Sequence, residues 1–168
     1  MKTSAMLESY AAEIERLVRD GLLRAAVRLA VVLPDVCAAL EHAQMKSSRE
    51  QYAKWCADWL AWKVKSGGKP VEGARLYRLY RARARIKPIP GPPDDLTSAA
   101  LRRFRMSRRA RRERALTRQR VWHPVNRVQA FELELVEALV EASRRWYREQ
   151  GANNSVVQLN LGRLLLSG

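Results

Sequence analysis

Half of the chain's 32 Lys and Arg residues fall between Arg75 and Arg120, where only Asp94, Asp95 and Glu113 oppose them. Sixteen cations against three acids give this stretch +13 of a net charge of +15, so everything else is nearly neutral at +2. A field of that density repels itself, and it is relieved when a polyanion binds and releases its counterions. The folded scaffold must then come from the near-neutral flanks, and the segment between them points to nucleic acid or an acidic partner.

The flanks are suited to that task. At 168 residues and 47% apolar content the chain is expected to form a single helical domain with a real core, residues 88–120 being a Pro/Arg-rich insertion or flexible protrusion within it. Ala, Leu, Arg and Glu dominate and β-branched residues are scarce, which favours an all-α fold. Cys37 and Cys56 lack CxxC spacing and read as buried reduced thiols of a cytoplasmic protein. Charged residues interrupt the first apolar stretch, so no secretory signal is expected. The most apolar run, Ala25 to Leu33, is broken by Arg28 and is too short to span a bilayer, so no membrane is expected as a partner.

Periodicity gives the elements. Leu7, Tyr10, Ile14, Leu17, Val18 and Leu22 predict one long amphipathic helix over 5–33, ended by Pro34. A short helix over 35–44 is expected next. Ser48-x-x-Gln51 reads as a capping box opening a helix with Tyr52, Trp55, Cys56, Trp59 and Leu60 inside, stopped by Ser66-Gly67-Gly68. A helix over 71–86 buries Leu76, Leu79 and Tyr80, and Lys87 to Pro93 forms an extended connector. Residues 98–120 show little apolar periodicity and read as disordered, or helical only when bound. Asn126-x-x-Gln129 opens a helix with Val128, Phe131, Leu135, Leu139, Ala142 and Trp146 on one stripe, closed by Gly151. Asn154 or Ser155 then caps a last helix with Val156, Leu159, Leu164 and Leu165. The sum is an antiparallel helical bundle with a basic, Pro- and Arg-rich central segment.

Four phrases carry a resemblance: Leu33-Pro-Asp-Val-Cys-Ala-Ala-Leu-Glu41, Tyr52-x-x-Trp55-Cys56-x-x-Trp59-Leu60, Leu76-Tyr77-Arg78-Leu79, and Ala142-x-x-x-Trp146-Tyr147. In this order they resemble bacterial proteins with a HEPN-like helical bundle. The resemblance implies an RNA-directed protein, because active HEPN domains are dimeric, metal-independent ribonucleases. Their paired Arg and His act on the 2′-hydroxyl and the phosphate. The pattern departs after Leu79: Tyr80 to Ile86 contains no histidine, where the family continues into Arg-Cys-x-Leu-Leu-His-Gln-Gly.

The candidate nucleic-acid contacts are Arg78, Arg81, Arg83, Arg85, Arg102, Arg103, Arg105, Arg108, Arg109, Arg111, Arg112 and Arg114. Arginine's planar fork suits phosphate, and Tyr77, Tyr80, Phe104 and Trp122 offer stacking surfaces, although aromatic residues in such positions also serve as core. Only His42 and His123 offer acid–base chemistry, and Arg118-x4-His123 is the candidate catalytic pair, against a packing or capping role for His123. Neither a metal site nor a cofactor is expected, since no histidine stands at ligand spacing from Glu132, Glu134, Glu137 or Glu141, and no phosphate loop is present. Three readings follow. The first is a binder of RNA or another polyanion without robust catalysis. The others are a ribonuclease toxin using Arg118 and His123, and a basic protein docking an acidic partner.

Overall fold

The computed structural model describes residues 4–60, 65–66, 69–83, 96–110 and 123–167. The described elements are α1 (Ser4–Arg19), α2 (Leu23–Ala30), α3 (Leu33–Leu40), α4 (Arg49–Trp59), a hairpin of β1 (Lys65–Ser66) and β2 (Lys69–Pro70), α5 (Gly73–Arg83), α6 (Leu96–Ala110), α7 (Arg127–Glu149) and α8 (Ser155–Leu166). The fold is all-helical apart from that two-residue ladder. Among the described residues no helix is long and apolar enough to cross a membrane.

The centre of the molecule is α3, all eight of whose residues are buried, packed against α4, α6, α7 and α8. It is short and apolar, and neighbours cover it on every side. Around it α1 packs on α2, α6 and α7, while α5 lies on α4. Gly73 makes that last approach possible, since a Cβ there would stand 2.7 Å from the Ala53 Cα. The α1–α7 contact is clamped by Arg144, which donates to Glu15 at 2.6 Å and to Glu8 at 3.0 Å.

The predicted helix over 5–33 is two helices. Gly21 turns the chain with φ of 73°, a left-handed conformation open to glycine, so α1 ends at Arg19 and α2 restarts at Leu23. Pro34 also acts differently from the expectation. It stands in the first turn of α3, where a missing N–H costs nothing, and so begins a helix rather than ending one. That helix stops at Leu40 instead of continuing to Gln44.

The caps follow the sequence closely. Ser48 Oγ accepts from the Gln51 N–H at 3.2 Å while the Gln51 side chain accepts from the Ser48 N–H at 2.7 Å. Asn126 caps α7 through the Gln129 N–H at 2.9 Å, and Asn154 caps α8. The helix opened by Ser48 ends at Trp59, well before Ser66. In α8 the inward stripe is Val157, Asn160, Leu161 and Leu164, while the predicted Leu159 is exposed, because the fold rotates the helix toward α3. Val128, predicted on the α7 stripe, is exposed as well, since the first turn of that helix projects beyond the core.

Residues 96–110 are helical and anchored, whereas 98–120 read in the sequence as disordered or helical only when bound. Thr97, Ala100, Leu101 and Phe104 recur at helical spacing and are all buried, and the Phe104 ring lies 5.3 Å from that of Tyr10. The connector over 87–93 and the tract over 111–120 lie outside the described residues.

Candidate nucleic-acid interface

Beneath the basic helices lies a buried polar knot. Asp35, in the first turn of α3, is 2% exposed. Its carboxylate accepts from the Tyr80 hydroxyl at 2.6 Å and from the Thr97 hydroxyl at 3.2 Å. One acid thus ties α3 to both α5 and α6. Burial, then the nearby Asp35 charge, pushes the Tyr80 phenol far above its ordinary value, so it remains a donor. Tyr52 stacks flat on Tyr80 with centroids 5.5 Å apart, and its hydroxyl donates to the Val31 carbonyl at 2.8 Å. Tyr77 meets both rings edge-on, at 5.2 and 6.0 Å.

The arginines above this knot divide into two sets. On α5, Leu76 and Tyr80 face inward, and Arg75, Arg78 and Arg81 are exposed. A spacing of three residues places them in one outer row, about 9 Å from first to last at 1.5 Å per residue. None of the three makes an ion pair with a described residue. The second set is engaged. Arg83, at the end of α5, lies 3.7 Å from Glu132 of α7. Arg103 donates to Glu13 of α1 at 2.8 Å, and Arg105 donates to the Ser167 carbonyl. Arg102 is exposed on α6, and the backbone of that helix carries Arg108 and Arg109. Arg85, Arg111, Arg112, Arg114 and Arg118 lie outside the described residues.

Beside the α5 row is a cavity of about 250 Å³, lined among the described residues by Lys46, Ser47, Tyr77, Arg81, Leu96 and Thr97. The turn before α4 brings Lys46 there. Met45 sits at φ 50°, a conformation that costs a side-chain-bearing residue about 1–2 kcal/mol, and its own side chain packs on the core. Sequence reading singled out Arg81 and Tyr77 but missed Lys46 and Ser47. A lone lysine in a polar turn carries no signal until the turn is folded against α5.

The histidines stand apart from this surface in their contacts. His42 follows α3, exposed, with its Nε2 2.7 Å from the Gln51 Nε2. His123 is exposed ahead of α7. The tryptophans read as core behave so: Trp55 and Trp146 are buried, Trp146 donating to Glu41 at 2.7 Å, and the Arg145 guanidinium lies over the half-buried Trp59 ring at 5.4 Å. Cys37 and Cys56 are free and buried, and burial pushes both thiols up. Among the described residues no group of His, Cys, Asp and Glu is placed to hold a metal ion. No family model, curated protein or solved structure matches this chain.

Proposed function

We propose that the protein binds RNA or another polyanionic nucleic acid through the outer row of α5, as a cytoplasmic HEPN-like antiparallel helical bundle without robust catalysis. The observation that carries the reading is the row itself: Arg75, Arg78 and Arg81 face solvent together, and none forms an ion pair with a described carboxylate. Burial of the polar knot beneath holds the helix still, so the row is presented at a fixed spacing. The Tyr77 ring and Lys46 extend the same surface around the cavity.

The reading assigns no catalytic step. A general acid–base must reach the proton that it moves, and the histidine nearest the α4 cap is already bonded to Gln51. Binding of a fluorescent RNA followed across salt tests the proposal. With three phosphate contacts on this row at a slope near −0.7 each, affinity falls by about 20-fold over a four-fold rise in salt. A flat salt response, or tight binding to an acidic protein with little affinity for RNA, contradicts it.

A further inference from the structure

The cavity beside Arg81 joins two cations and an aromatic side chain. At about 250 Å³ it is smaller than the roughly 300–1,000 Å³ of sites that enclose a whole drug-sized ligand. It has room for one phosphoryl group and part of its sugar, and the remainder of a ligand must continue outside. The hydroxyl protons on its floor are already committed, Thr97 donating to Asp35 at 3.2 Å and Ser47 to the Ser48 carbonyl at 3.3 Å. The grip on an anion therefore falls to the Lys46 ammonium and the Arg81 fork, neither of which has an ion-pair partner among the described residues. No acid is among the described residues that line the cavity. The Tyr77 ring, held edge-on by Tyr52 and Tyr80, is a fixed wall against which an unpaired base can rest.

We infer that this cavity seats one backbone phosphate of a single-stranded nucleic acid, held by Lys46 and Arg81, with neighbouring phosphates passing out along Arg78 and Arg75. The inference deepens the function proposed above and rests on it. Duplex is disfavoured because a base resting on the Tyr77 ring beside the held phosphate must be free of its pairing partner.

The test compares Lys46→Ala/Arg81→Ala with Arg24→Ala/Arg28→Ala, which removes the same charge from exposed positions of α2. All four side chains are exposed, and circular dichroism checks that both variants fold. Anisotropy of a twelve-nucleotide oligouridine lacking terminal phosphates is read across salt. The cavity variant is expected to bind about tenfold more weakly or worse, with a salt slope shallower by about 0.7, the value for one lost single-strand phosphate contact. The α2 variant changes affinity by less than about twofold. Equal losses in the two variants overturn the inference while leaving RNA binding standing. Absence of salt-dependent binding by the unaltered protein overturns the proposed function itself. Adenosine monophosphate that binds with the same Lys46 and Arg81 dependence, without RNA doing so, identifies a free nucleotide as the source of the phosphate and contradicts the inference.

Discussion

On α5 the arginines at 75, 78 and 81 stand outward without ion-pair partners among the described residues, whereas on α6 Arg103 reaches Glu13 and Arg105 reaches Ser167. The two helices read alike as sequence, short apolar signals embedded in arginine. They differ in what they lie against. Helix α6 packs on α1, whose rim offers a carboxylate, and its inner face is driven home by Phe104 and Leu101. Helix α5 packs on α4, and its outer row makes no ion pair with a described acid, while Arg83 at the helix's end reaches Glu132. A count of charges along a chain is therefore not a count of charges free to bind.

Both helices rest on buried phenols, and this predicts the largest effect. Tyr10 underlies α6, and Tyr52 and Tyr80 hold α5. Burial raises all three and both cysteines above their ordinary values. Acids raised in the folded state keep their protons while the unfolded chain releases them. Stability is thus full below the unfolded values, about 8.5 for Cys and 10 for Tyr, and falls above them by about 1.4 kcal/mol per pH unit for each group. Urea unfolding from pH 7 to 11 is expected to show a steep loss beginning near pH 9. Constant stability to pH 11 contradicts the packing described.

Next in size is Phe104→Ala, expected to cost about 3–5 kcal/mol, since it empties a buried aromatic site under α6. Chemical denaturation reads it directly. A cost below about 1 kcal/mol, within the range of surface changes, would mean that α6 is not anchored. Tyr80→Phe removes the shorter donor to Asp35 and is expected to cost about 1–3 kcal/mol. A neutral result shows that the knot does not join α5 to α3. Smallest is Arg103→Ala, where the partly exposed pair with Glu13 contributes about 0–1 kcal/mol. A loss of several kcal/mol would place that arginine in the core's support rather than at its rim.

Much of the fold is legible in the residues, for reasons that are local. Ser48 with Gln51, and Asn154 ahead of α8, carry their caps in short spacings that no distant contact overrides. The break at Gly21 is hidden because apolar residues continue on both sides of it, and only the positive φ reveals the turn. Pro34 misleads because proline is compatible with either boundary of a helix. In α6 the spacing of Thr97, Ala100, Leu101 and Phe104 is present in the sequence, but the surrounding arginines mask it. The candidate site is legible only by half. Arg78 and Arg81 stand in a visible basic run, whereas Lys46 joins them from 35 positions before Arg81 through a turn whose geometry no short pattern encodes.

The contrast between the two helices is tested most directly by matched triple variants, Arg75→Ala/Arg78→Ala/Arg81→Ala against Arg102→Ala/Arg103→Ala/Arg105→Ala, compared by RNA binding across salt at a temperature where both remain folded. Each removes three charges. The α5 variant is expected to lose about three contacts, a salt slope shallower by about 2, while the α6 variant keeps a slope near that of the unaltered protein. Equal slopes in the two variants, or a larger loss on α6, contradict the assignment of the interface to α5.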